Sequence, residues 1–201
     1  MLVAVTGNMG AGKTTLAAML ENFGARRIDA DVLAREVVEA SEGLRRRLAG
    51  AFGEDLLDSE GRLDRRGLAR RALADEEGRR RLEELVRPEL EPRIWQALRE
   101  AEAGGGIVLL DAPLVFEWGL QDRFDAVILI RTESGLATRR VTRERGLAPE
   151  EVRQRRAIQQ DDIPGGSVDY EVSNDGDLQS LRSEALRVWE GLQQRQDGRE
   201  A

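Results

Sequence analysis

The chain contains neither cysteine nor histidine, and among its 31 basic residues Lys13 is the single lysine, every other one being arginine. The first two absences remove thiol nucleophiles, thiolate and imidazole metal sites and the usual imidazole general base, so any proton acceptor must be a carboxylate. With one lysine, already inside a glycine-rich loop, the N-K-x-D motif by which GTP switches read guanine cannot exist. No apolar run approaches the ~20 residues of a membrane span. The N-terminus passes straight into an apolar strand, so no signal peptide is expected, and the sequence reads as that of a soluble cytoplasmic protein. The net charge of -7 makes the chain a poor general binder of nucleic acid. What remains is 201 residues, 40% hydrophobic and 34% charged, enough for one domain carrying an insertion.

The most informative stretch is Gly7-Asn8-Met9-Gly10-Ala11-Gly12-Lys13-Thr14-Thr15, which fits G-x-x-x-x-G-K-[ST]. Leu2-Val3-Ala4-Val5 ahead of it suits a parallel strand buried on both faces, and Leu16, Leu20 and Phe23 after it recur at helical spacing. Strand, glycine loop and helix form a phosphate cradle: glycines let successive N–H groups converge on phosphate oxygens at the positive end of the helix. Asn8, Met9, Gly10, Ala11, Gly12, Lys13, Thr14 and Thr15 are therefore the expected ATP-holding residues. Lys13 supplies a mobile charge to the β/γ-phosphates, and the Thr14 hydroxyl is placed to ligate Mg²⁺. A chain so rich in arginine keeps its one lysine where a planar fork cannot replace a compact ammonium.

Ala25 to Asp29 reads as a second strand, and Asp29 and Asp31, two apart, share a face if extended. Strand carboxyl ends are where open α/β sheets place ligands. Either aspartate is a candidate base for a substrate hydroxyl, the other assisting Mg²⁺ or substrate; alternatively Asp31 simply caps a helix starting at Val32. From Val32 to about Ala103 the pattern is helical, with breaks near Glu42-Gly43, Gly53 to Gly61 and Pro88. That is far more than a crossover helix needs and reads as a helical insertion that binds substrate. Most of its arginines suit solvated faces; Arg35 and Arg65 are the candidates for substrate phosphates.

Ile107 to Asp111 is a buried strand closing on a carboxylate, either a Walker B aspartate or a turn residue before Pro113, where a helix is expected to begin. Asp125 to Ile130 is a further strand. The helices Glu133 to Arg145 and Pro149 to about Gln160 follow. Arg139 and Arg143, four apart on one face, read as lid arginines over the phosphates or as part of a merely exposed charged hairpin. Val168 to Val172, after Gly165-Gly166, suits an edge strand, and the turn Asn174-Asp175-Gly176 is placed to approach adenine. A last helix runs from about Asp177 to Leu192.

The expected fold is α/β, a P-loop NTPase-type three-layer α/β/α with about five parallel strands, a helical substrate-binding insertion and a helical lid. Residues 1–31, 104–131 and 161–195 form the nucleotide-binding core, 32–103 the insertion, 132–160 the lid and 196–201 a flexible tail.

In order and spacing the motifs resemble the dephospho-CoA kinase family. The resemblance rests on the glycine loop, Ile28-Asp29-Ala30-Asp31 with Ala34-Arg35-Glu36-Val37, Gly61-Arg62-Leu63-Asp64-Arg65, Leu82-Glu83 to Arg87-Pro88, and Asp111 to Glu117. It continues through Arg139 to Gly146, Arg155 to Gln159 and Val168-Asp169-Tyr170 to Asn174. It implies phosphorylation of the ribose 3′-hydroxyl of dephospho-CoA by MgATP, the final step of coenzyme A synthesis. Asp31 would be the base, with Lys13 and the loop holding ATP, Thr14 holding Mg²⁺, Arg139 and Arg143 acting from the lid, and Asn174 and Gly176 near adenine. Substrate would meet Asp29, Asp31, Arg35, Arg65 and Arg87, in an enzyme that is a monomer or weak homo-oligomer without nucleic-acid or membrane partners. The family usually has His-Pro where this chain has Arg87-Pro88; arginine replaces an imidazolium as cation and donor but accepts no proton. The rival readings are a kinase of another small acceptor on the same fold, and a nucleotide switch or nucleic-acid-coupled ATPase.

Overall fold

The computed structural model describes residues 1–158 and 167–200, so Gln159, Gln160, Gly165 and Gly166 of the reading above lie outside the described residues. The chain forms two compact units, Met1–Asp29 together with the chain from Ala97 onward, and Ala30–Gln96.

The first unit is built on five strands, β1 (Leu2–Thr6), β2 (Arg26–Asp29), β3 (Val108–Asp111), β4 (Ala126–Arg131) and β5 (Tyr170–Ser173). They lie in the order β2-β3-β1-β4-β5, with all four pairings parallel. The central strands are apolar except at their carboxyl ends, Thr6, Asp111 and Arg131, because both sheet faces are covered. Val3, Val5, Leu109, Ile128 and Ile130 alternate along their strands and pack with Leu16 and Leu20 of α1 (Lys13–Phe23) and Leu181, Ala185, Val188 and Leu192 of α8 (Leu178–Glu200). Phe23 and Trp189 meet with ring centroids 6.3 Å apart. The edge strands β2 and β5 are less buried, as the charged and alternating residues of each predict. The last helix runs beyond Leu192 through Glu200, where a tail was expected. Its Gln-, Arg- and Glu-rich end contains no proline, and such residues propagate a helix already docked by its apolar side.

One further expectation changes. Pro113 to Gly119 forms turns rather than a helix, tied by Trp118 N–H to the Leu114 carbonyl at 3.0 Å, and Trp118 is buried as packing. The lid helices are α6 (Ser134–Arg145) and α7 (Pro149–Ile158).

The second unit holds α2 (Ala30–Ala40), α3 (Glu42–Phe52), α4 (Arg65–Ala72) and most of α5 (Glu76–Glu102). Leu44, Leu48, Leu56, Leu68 and Ala72 form its core. The Ser41 hydroxyl accepts from Leu44 N–H at 3.2 Å and starts α3, and the Asp64 carboxylate caps α4 through Arg66 and Gly67 N–H. Pro88 does not break the chain: α5 runs through both Pro88 and Pro92. The prolines are four apart on the exposed face, so the carbonyls they leave without a helical donor face water. The second unit thus begins at Ala30 without a loop and ends inside α5, where the sequence reading placed the boundaries at 32 and 103.

Candidate active site

β1 ends at Thr6, and the chain turns through Gly7–Gly12 before α1 begins at Lys13. Ala11 N–H closes the loop on the Asn8 carbonyl at 3.0 Å. Gly12 sits at φ 98 and Gly10 at φ 78, in the left-handed region. A Cβ on Gly12 would lie 2.3 Å from Asn174 Nδ2, and one on Gly10 would lie 2.8 Å from Val141 Cγ2 and 2.9 Å from the Ala137 carbonyl oxygen. The glycines therefore serve both the curl of the loop and its close seating against α6 and Asn174. No acidic residue stands in the first turn of α1, so its unsatisfied N–H groups and positive end are left for an anion. Thr14 and Thr15 are exposed at that end.

The loop is braced from behind. Asn174, buried just past β5, donates from Nδ2 to the Ala11 carbonyl at 2.8 Å. The Thr132 hydroxyl lies 3.2 Å from the same carbonyl and 3.0 Å from that of Asn174. Arg140 donates to the Asn174 carbonyl at 2.8 Å and reaches the Gly176 carbonyl at 3.4 Å. Asp175 accepts from Glu133 N–H at 2.7 Å, and that bond, with the Ser173 hydroxyl, holds its carboxyl below the usual range. Asn174 and Gly176, expected beside adenine, are thus committed here to the loop and its support, Asn174 by its side chain and Gly176 by its carbonyl.

The lid arginines divide by helical phase. Ala137 and Val141 are the α6 residues against Gly10, and Arg139, two positions from each, points to the opposite side at 100° per residue. Arg139 and Arg143 line a cavity of about 590 Å³ with Thr138, Thr142 and Arg153. Arg140 meets the brace and, from α7, Arg156 meets the loop itself, donating to the Met9 carbonyl. The sequence pattern showed that Arg139 and Arg143 share a face but not which face turns to the cradle; the apolar pair Ala137 and Val141 was the available signal.

At the carboxyl ends of β2 and β3, Asp29 and Asp111 are register partners. Arg27 Nη2 stands 3.0 Å from Asp29 Oδ2 and 2.6 Å from Asp111 Oδ2. Burial pushes the Asp111 carboxyl up from its ordinary value, against the opposing pull of Arg27 and of Lys13. The influence of Lys13 ties this acidic edge to the cradle. Sequence reading passed over Arg27, although its i, i+2 spacing to Asp29 places both side chains on one face of the strand.

In the helical unit, Asp31 is exposed inside the first turn of α2, which starts at Ala30; it is not the residue before a helix at Val32. A carboxylate there complements the positive helix end. Arg65 brings two candidates together, donating to the Arg35 carbonyl at 3.1 Å and to Glu39 Oε1 at 2.5 Å. Arg87 Nε pairs with Glu91 at 2.9 Å, one turn further along α5.

A profile of the dephospho-CoA kinase family matches residues 1–179. A dephospho-CoA kinase of Corynebacterium glutamicum is 36% identical over 188 residues, covering 92% of this chain and 94% of the relative. Another, of Thermobifida fusca, is 37% identical over 194 residues, 96% of each chain. A crystal structure from Thermus thermophilus matches with a TM-score of 0.74 at 33% identity, over 94% of this chain and 95% of that one.

Proposed function

The chain belongs to the dephospho-CoA kinase family and uses ATP to phosphorylate the ribose 3′-hydroxyl of dephospho-CoA, the last step of coenzyme A synthesis, and on that premise we propose how its residues divide the work. Lys13 and the amides of Asn8 to Thr15 hold the phosphates. Asp31 takes the proton as the 3′-oxygen attacks the γ-phosphorus; the bond from that phosphorus to the bridging oxygen breaks, and ADP leaves with its electron pair. Asp29 orients the acceptor. Arg35 and Arg65 meet its phosphates, and Arg87 supplies a cationic contact without proton acceptance.

Arg140 and Arg156, which touch the loop and its brace, are the lid cations nearest the transferred group, and Arg139 and Arg143 add positive charge from the far side of α6. Adenine lies along the Asn174–Gly176 turn. Among the described residues no cluster of three or more metal-binding side chains occurs. That suits Mg²⁺, which keeps most of its shell from water and nucleotide phosphates and needs little beyond an oxygen such as the Thr14 hydroxyl. Bound there, Mg²⁺ would neutralise charge on the β- and γ-phosphates. No described helix is long and apolar enough to cross a membrane. The enzyme acts in the cytoplasm as a monomer or weak homo-oligomer, without nucleic acid.

The observation that carries this division is the braced loop ending on the chain's one lysine. Its test is ADP release with MgATP and dephospho-CoA, with coenzyme A identified as product. Coenzyme A formed by the wild type and lost in Lys13→Ala is the expected result; ADP without coenzyme A would move the acceptor assignment elsewhere.

A further inference from the structure

Asp29 and Asp111 end adjacent parallel strands in register, which sets two carboxylates side by side, and Asp111 is in turn the register partner of Val5, one residue before β1 ends at the glycine loop. Like charges in such an arrangement repel. Here a single guanidinium nitrogen stands between them, 3.0 Å from one and 2.6 Å from the other. The side chain of Asp111 is 6% exposed and that of Arg27 15%, so water screens this pair poorly and its charges act strongly on one another. The guanidinium also leaves its Nε buried without a hydrogen-bond partner. A polar atom so placed costs stability, and the orientation that leaves it so is the one that puts Nη2 between both acids.

Among the described residues the other arginine pairs are more exposed or, like Arg79 with Glu83 (14% and 28%), run along a single helix. Arg62, Arg71, Arg153 and Arg187 meet carboxylates at exposed positions, most within one or two turns of the same chain segment. Such pairs contribute little and set no site. Arg27 alone among these joins the acids at the ends of two sheet strands.

We propose that Arg27 is a positioning residue for phosphoryl transfer: it clamps the Asp29 and Asp111 carboxylates together and lowers the negative charge of the edge beside the cradle. The proposal rests on the kinase reading above. Without the clamp, two acids at this edge compete with phosphate for Lys13 and attract a divalent cation into the place of the guanidinium. Mg²⁺ and Lys13 would then be divided between the protein edge and the nucleotide, and the alignment on which phosphoryl transfer depends would be lost.

The test compares Arg27→Met, Arg27→Gln and Arg27→Lys with the wild type. For Met and Gln, kcat is expected to fall by about tenfold or more while KM for dephospho-CoA stays within about threefold; Lys, keeping the charge, restores most of the loss. A readout that needs no turnover is the ratio of ADP affinities with and without Mg²⁺, by calorimetry. That ratio should change several-fold in Met and Gln and remain near wild type in Lys. A merely structural ion pair would lower Tm yet leave the folded variants with wild-type kcat and an unchanged Mg²⁺ ratio, and either finding in a folded Met or Gln variant overturns the proposal. If the wild type failed to make coenzyme A, the kinase reading would fall, whereas the Mg²⁺ ratio would still report on the clamp. Should Met not fold, Gln and Lys decide the matter, Gln having similar length without the charge.

Discussion

The two units prepare for anions by opposite means. In the sheet unit the anion groups are backbone amides at the start of α1, held by a loop that cannot change its glycines without colliding with Asn174, Val141 or the Ala137 carbonyl. In the helical unit two of the arginines expected to meet the acceptor are already paired with acids, Arg65 with Glu39 and Arg87 with Glu91. A backbone site is preorganised and resists adaptation; a side-chain site must exchange one anion for another, at small cost because the arginine side chains are exposed. The first arrangement fits a phosphate tail common to all nucleotides. The second fits an acceptor whose position is settled only when it binds.

The largest expected effects break this contrast at the chemistry itself. Lys13→Ala and Asp31→Asn should each lower kcat by roughly 10² or more, from loss of charge on the phosphates in one and of the base in the other. They should differ in binding: Lys13→Ala weakens ATP as well, while Asp31→Asn leaves ATP affinity within about threefold. Steady-state kinetics and ADP calorimetry separate them, and near-full turnover by Asp31→Asn would remove it as the base. Next in size is the brace. Asn174→Ala deletes the 2.8 Å bond to the Ala11 carbonyl from a buried position. A loss of about 1–3 kcal/mol of stability is expected, with ATP bound about tenfold more weakly. Asn174→Asp, of the same shape but without the donor, sets two oxygens against each other and should do at least as much harm. Thermal melts with and without ATP check both variants, and unchanged ATP affinity would mean the loop holds its shape without the brace.

The same contrast explains what was legible in the sequence. A loop read by backbone geometry leaves a pattern of glycines and one lysine at fixed spacing, so the cradle and the strand and helix around it were readable to within a residue or two. The three central strands followed from apolar runs that only a doubly covered sheet requires, and the two edge strands from a short charged segment and an alternating one. The lid arginines were not separable, because a step of one residue turns a helix by about 100° and the charged pattern around Arg139, Arg140 and Arg143 fits several phases. Arg27 was hidden because its partner Asp111 is distant in sequence and meets it only through strand register. Pro88 misled because a proline forbids a helical hydrogen bond but not a helix, when the freed carbonyl faces water. Asn174 was expected beside adenine; its direction into the Ala11 carbonyl needed coordinates.

A smaller effect sharpens the claim that the helical unit adapts. Arg65→Ala removes an exposed side chain already paired with Glu39, so stability should change by less than about 1 kcal/mol. KM for dephospho-CoA should rise by about three- to tenfold, with kcat and KM for ATP nearly unchanged. An effect on ATP instead would place Arg65 with the nucleotide rather than the acceptor.

The smallest effect concerns acid. In the helical unit Asp55 is held below its ordinary value of 3.8 chiefly by its hydrogen bond with Arg71, Asp58 likewise by Arg62, and Glu89 below 4.5 by the Ser41 hydroxyl and then Arg47. Folded, these groups bind protons less tightly than in the unfolded chain, so their contribution is present above the unfolded values and is lost as pH falls through the folded ones. Asp111 has the reverse sign: its raised carboxyl binds a proton more tightly when folded, so acidification relieves a burial penalty in the sheet unit. Asp175 and Asp177 are lowered as well, but both sit in the exposed turn after β5, where loosening is local. Hydrogen exchange between about pH 5 and pH 3 should therefore show α3 and α4 losing protection before the central strands. Asp55→Asn should make that loss shallower, since one of the titrating groups has gone. Equal and simultaneous loss in both units would mean that the two respond to acid as a single cooperative body, and the contrast between a fixed cradle and an adaptable helical unit would then describe their ligands but not their stability.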